Sequence, residues 1–145
     1  MVSATRSASS GLRAASRWVA TASANIANAG NSARPGEIEA VSSGRRTGGR
    51  DARPDSGGYV PVRVEQESLA GGGVRATIGT IAPSHRMVLD PSDPAADEDG
   101  LVARPNVDVE GELVNVMRAR RAYQSSLKVI ETEDEMMGGL IDDPI

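Results

Sequence analysis

His85 is the single histidine of this 145-residue chain, and an imidazole needs partners before it can do chemistry. Nucleophilic catalysis calls for a serine or cysteine within reach of the base, and metal binding calls for further ligands at fixed spacing. No such arrangement is legible around His85. Cysteine is absent, which excludes disulfides, thiolate metal sites and a cysteine nucleophile. Asp90 and Asp93 could form a carboxylate pair, yet each precedes a proline, where an aspartate serves to start a turn. A calcium loop would place Asp97, Asp99 and Gly100 at its third, fifth and sixth positions. Its first and twelfth positions would then be Ala95 and Asn106, where an aspartate and a bidentate glutamate are required. Gly71, Gly72 and Gly73 lack the following Gly-Lys-Ser/Thr of a phosphate loop and fit a tight turn. The inventory predicts no enzyme, no metal and no cofactor.

The elements that carry these residues follow from periodicity. Ala8, Leu12, Ala15, Val19, Ala22, Ile26 and Ala29 recur at alternating spacings of four and three, one narrow stripe along a helix. Gly30 supplies a left-handed stop, so the helix should end near Ala29. Residues 34–58 combine glycine, serine and arginine with almost nothing apolar and read as a flexible loop. In residues 59–65 and 74–81 apolar and polar positions alternate on either side of a glycine turn, the pattern of a β-hairpin, with Pro61 marking an edge. Residues 89–100 are acidic and broken by prolines, so they should connect irregularly.

After Pro105 the period becomes helical again. Val109, Val116, Tyr123, Ile130 and Met137 recur every seven residues, with Leu113 and Leu127 between them, and Arg120 and Asp134 interrupt that second series. Asp108 is placed to cap this helix, Glu110 and Glu112 suit its positive end, and Gly138 and Gly139 should end it. The expected organisation is a helix in 1–33, a loop in 34–58, a hairpin and irregular connection in 59–104, and a helix with tail in 105–145. The fold class is mainly α with a small β part, its terminal helices paired as an antiparallel coiled coil, because helices with such narrow seams are marginal alone. Charge supports the pairing. Arg6, Arg13 and Arg17 lie in the first helix, and Glu131, Glu133, Asp134, Glu135, Asp142 and Asp143 crowd the end of the last, so the arginines are expected beside the acids.

Composition agrees with an extended object. One Trp, two Tyr and no Phe leave little with which to anchor a compact core, and the net charge of −4 gives no reason to expect nucleic acid. No run approaches the roughly 20 apolar residues that span a bilayer. Arg6, Arg13 and Arg17 interrupt the stretch where a secretory signal would have its apolar core.

Residues 100–137, GLVARPNVDVEGELVNVMRARRAYQSSLKVIETEDEMM, preceded by VLDPSDPAAD, closely resemble the C-terminal part of the bacterial flagellar basal-body rod protein FlgC family. The shared positions are Gly100, Val102, the turn from Pro105 through Asn106 to Asp108, then Met117, Arg121, Tyr123 and Gln124. Asn25, Ile26, Ala27 and Asn28 look like the Ala-Asn-Leu-Ala-Asn signature of rod and hook proteins. The chain departs from the pattern at Ser125 and Ser126, at Leu89 and in the Arg/Gly-rich residues 34–58, none of which falls on the predicted seams.

The resemblance implies a structural subunit of the proximal rod, located in the periplasm and exported unfolded through the flagellar type III apparatus without a cleavable signal. It implies partners among other rod proteins, the basal-body ring or its adaptor, and further copies of the chain, without membrane insertion. The expected subunit interface takes Leu12, Ala15, Val19, Ala22 and Ile26 from the first helix. From the second it takes Leu113, Val116, Met117, Arg121, Tyr123, Gln124, Leu127 and Ile130, with Asn106 and Asp108 at its start. Asn25 and Asn28 are expected off the apolar stripe, bonding either neighbouring subunits or the helix's own terminal carbonyls. The alternative reading is a soluble helical adaptor whose helix pair binds a client.

Overall fold

A computed structural model describes residues 2–42 and 58–141. In chain order these form α1 (Val2–Asn28), α2 (Pro35–Ser42), β1 (Val62–Ser68), β2 (Val74–Thr80), β3 (His85–Leu89), β4 (Leu101–Pro105) and α3 (Val109–Ile141). The protein is mainly helical with a small β part, and the chain divides into two compact units.

The first unit comprises Met1–Ser23, Arg63–Gly79 and Glu110–Ile145. In it the terminal helices run antiparallel: Thr5 donates to Glu133, Gly11 faces Ser126, and Ala15 shares a cavity wall with Ala119. The stripe that packs is not the one with the largest side chains. Ala8, Ala14, Ala15, Thr21 and Ala22 are buried on α1, with Ala119 and Glu133 on α3, whereas Val19, Leu113, Tyr123 and Leu127 are exposed. Small residues allow a close approach, and a Cβ on Gly11 would lie 2.6 Å from Ser126 Oγ. Ser126, where the chain departs from the family pattern, therefore lies at the helix contact, contrary to expectation.

The arginines also sit otherwise than charge alone suggested. Among the described residues none of Arg6, Arg13 and Arg17 pairs with Glu131, Glu133 or Glu135; Glu131 pairs with Lys128, and Arg17 donates to Ala76 O at 2.6 Å. Asp142 and Asp143 lie outside the described residues. Strands β1 and β2 form the expected hairpin. Its turn is closed by Leu69 N–H on Gly73 O and needs positive φ at Gly72 and Gly73 (85° and 86°). The hairpin is tied to α1 where Ser10 Oγ accepts Val74 N–H at 2.9 Å.

Helix α1 ends at Asn28, where expected, but not by a left-handed glycine, and the expected glycine stop of α3 fails. Gly30 lacks positive φ, and the end of α1 is closed instead by Asn31 N–H on Asn28 O. Helix α3 runs through Gly138 and Gly139 to Ile141, with neither glycine left-handed. A helical glycine costs about 1 kcal/mol relative to alanine, a penalty a long helix absorbs.

The second unit, Ala24–Val62 and Thr80–Val109, holds the best-buried residues. Here β3 and β4 form a second antiparallel hairpin, from His85 opposite Pro105 to Leu89 opposite Leu101, and Ala33 bridges the other side of β4 at Ala103. The segment read as a loop opens with α2 instead, where Pro35 has the fixed φ that suits a first helical position and Ile38 packs on Ala33 and Ala103. Residues 43–57 lie outside the described part.

Candidate functional site

The residues with chemical potential prove structural. His85 Nδ1 lies 2.9 Å from Ser84 Oγ, but among the described residues no carboxylate bonds the ring, so no triad is assembled. Burial lowers the His85 pKa, opposed by a hydrogen bond with the Tyr59 backbone. Asp90 accepts Arg104 Nη2 at 2.7 Å. Asp93 accepts Ala95 N–H at 2.8 Å and the Ser32 hydroxyl at 3.0 Å, and with Arg104 nearby these bonds hold its carboxyl below the ordinary range. Asp97 accepts the amides of Asp99 and Leu101. The acidic stretch is thus a run of aspartate-closed turns. Among the described residues no group of histidines and acids could hold a metal ion, and no helix is long and apolar enough to cross a membrane.

Asn25 corrects the expectation made for it. It lies off the apolar stripe but is fully buried, and it bonds Tyr59 and Val62 of its own chain. Its Oδ1 accepts from the Tyr59 hydroxyl at 2.8 Å and Val62 N–H at 3.2 Å, and its Nδ2 donates to Val62 O at 2.7 Å. The side-chain amide meets both polar groups of Val62, as a backbone peptide on a neighbouring strand would. Asn28 bonds locally, donating to Ala24 O at 2.7 Å and accepting from Asn31 Nδ2 at 2.9 Å. Asn106 donates its side-chain amide to Pro83 O and its backbone N–H to Ser84 O. Ala15 and Ala22 are buried within the chain, and Leu12, Ile26 and Ile130 are half-buried. Asp108 is exposed just before α3.

The remaining predicted interface residues form one exposed flank of the helix pair. Leu113 is 51% exposed, Met117 54% and Tyr123 39%. Beside them a groove of about 670 Å³ runs between α1 and α3, lined by Ser16, Val19, Ala20, Val116, Arg120, Tyr123, Gln124 and Leu127. Gln124 and Arg121 are exposed on α3. A groove of this composition offers no general base, and the Ser16 hydroxyl donates to Leu12 O; what the groove can do is accept another apolar surface. Sequence reasoning read this stripe both as the seam of the helix pair and as a subunit interface. On α1 the expected Ala8, Ala15 and Ala22 do pack inward, whereas on α3 the inner face is marked by Ala119, Ser126 and Glu133, which that reasoning missed. The unread signal on α1 was Gly11, one helical turn before the expected Ala15 and facing Ser126.

Known proteins place this architecture in a class. Residues 98–142 match the family model described as flagellar basal body rod FlgEFG protein C-terminal. The flagellar basal-body rod protein FlgC of Salmonella typhimurium is 35% identical over 133 residues, covering 90% of this chain and 87% of the relative. FlgC of Escherichia coli O157:H7 gives the same identity and coverage. FlgC of Yersinia enterocolitica is 40% identical over 92 residues, 61% of this chain and 68% of the relative. The chain belongs to the flagellar basal-body rod protein FlgC family, a family of structural proteins and not of enzymes.

Proposed function

We propose that this chain is a structural subunit of the proximal flagellar rod, held in the shaft by contacts along the flank of its terminal helix pair. The observation that carries the reading is the exposed apolar series on α3, in a chain 35% identical to a rod protein across 90% of its length. Large apolar side chains arranged at heptad spacing and left in solvent are the mark of a surface meant to be covered. Family membership supports a basal-body location and association with other rod components, further copies and the basal-body ring or its adaptor. Periplasmic placement after export through the type III apparatus belongs to the same reading. The proposed interface keeps Val19, Leu113, Val116, Met117, Arg121, Tyr123, Gln124, Leu127 and Ile130, with Leu12, Ile26, Asn28, Asn106 and Asp108 at its margins. Ala15, Ala22 and Asn25 support it from within.

The combined substitution Tyr123→Ala and Ile130→Ala tests this. The purified variant should unfold close to the parent's midpoint, because Tyr123 is exposed and Ile130 only half-buried. Cells carrying it should secrete the protein but lack complete rods and not swim. Normal swimming at matched expression would overturn the reading, as would a loss of swimming caused by His85→Ala alone.

A further inference from the structure

One face of α3 reads Leu113, Arg120, Leu127, Asp134 at seven-residue intervals. All four side chains are exposed, and among the described residues neither Arg120 nor Asp134 belongs to an ion pair. The charges look like interruptions of an apolar series. They are opposite in sign, however, and two heptads apart. A parallel neighbour in register would set Arg120 against Arg120 and Asp134 against Asp134, and like charges in contact oppose association. A neighbour displaced by two heptads, 14 residues or about 21 Å at 1.5 Å per residue, sets opposite charges together and leucine on leucine.

We propose that a second copy of this chain lays its α3 parallel to the first, displaced along the axis by two heptads, so that Asp134 of the second copy pairs with Arg120 and Leu127 of the second copy covers Leu113. This register rests on the rod-subunit reading and adds to it. The neighbouring stripe moves with it, bringing Ile130 of the second copy onto Val116 and Met137 of the second copy onto Tyr123. Apolar burial supplies the attraction, and the charges select the offset. A displaced parallel contact is heterologous: each copy keeps one unused half of the contact at either end, so the arrangement repeats. An antiparallel pair centred on Leu127 would also join the charges, but it closes as a dimer and cannot extend.

The natural absence of cysteine makes the test direct. The full chain carrying both Arg120→Cys and Asp134→Cys replaces the natural copy in cells, and isolated basal bodies are oxidised. The expected result is a ladder of dimers and higher multiples, with no homodimer from either single variant. Homodimers from Arg120→Cys alone would mean an in-register contact and would overturn the proposal. So would a ladder ending at dimers, together with a homodimer from Leu127→Cys, because that is the antiparallel pair. Adducts whose mass is not a multiple of the chain would assign the groove to another protein. No adduct in basal bodies that contain the chain would sink the register and leave the rod reading standing; a chain missing from basal bodies would sink both. Charge exchange checks the result without cysteine. Arg120→Asp and Asp134→Arg should each lose swimming and the double exchange regain it, and a double variant as poor as the singles counts against the pairing.

Discussion

Val102 and Ala103 on β4 are fully buried, while Leu113 and Met117 on the first turns of α3 are more than half exposed. The β unit brings its own partners: Ala33 and Ile38 pack on Ala103, Asn25 answers Val62 and Tyr59, and aspartates close the turns between β3 and β4. The helical unit instead buries alanine, threonine, Val64 and a glutamate; both units leave large apolar side chains in solvent, Met87 and Leu89 on β3 of the one and Leu113, Met117 and Tyr123 on α3 of the other. Apolar burial is worth about 25 cal/mol per Å², so placing the largest apolar side chains outside forgoes stability in the isolated chain. The units differ in what they bury: the β unit closes on β4 and Asn25, the helical unit on a seam of small side chains.

The largest expected effect is at Asn25. Asn25→Ala leaves Val62 N–H, Val62 O and the Tyr59 hydroxyl without their amide partner in a buried site, at about 1–3 kcal/mol for each unsatisfied group. Chemical denaturation of the purified chain should show a loss of about 3 kcal/mol or more. A loss below about 1 kcal/mol would mean that the β unit is not self-sufficient in the way described.

Acid should also act on the β unit, in two windows. The folded-state pKa of His85 is lowered from 6.5, so the unfolded chain takes the proton more readily; stability is full above 6.5 and declines as pH falls through the folded value. Asp93 is lowered from 3.8, so its contribution is present above 3.8 and is lost as pH falls through its folded value. Unfolding midpoints measured at descending pH should show both declines. His85→Gln should flatten the first and Asp93→Asn the second. An unchanged profile in either variant would remove that residue from the account.

The smallest effect should be on the helical flank. Leu113→Ala and Met117→Ala should each change the stability of the isolated chain by no more than about 0.5 kcal/mol, as surface substitutions do, while reducing swimming. A thermal or denaturant shift equivalent to about 2 kcal/mol or more would place these side chains in a core and erase the contrast between the units.

Local patterns in the sequence determined the two terminal helices and the first hairpin, because 3.6- and 2-residue periods are properties of the residue order itself. The terminal helices and residues 62–68 and 74–80 were legible for that reason. Tertiary structure decided which stripe of α3 packs inward, whereas on α1 the predicted Ala8, Ala15 and Ala22 do so. The large heptad residues and the small set around Gly11, Ala15 and Ala119 are both regular, and only the facing helix selects the stripe that permits close approach. It also decided the partner of Asn25, since Tyr59 and Val62 lie 34 and 37 residues away and no local rule joins them. The second hairpin stayed hidden because its five-residue strands are separated by an acidic, proline-broken stretch whose turns close only when Asp93 and Asp97 find amides to hold. A period belongs to one segment; a contact belongs to two, and the second is supplied by the fold.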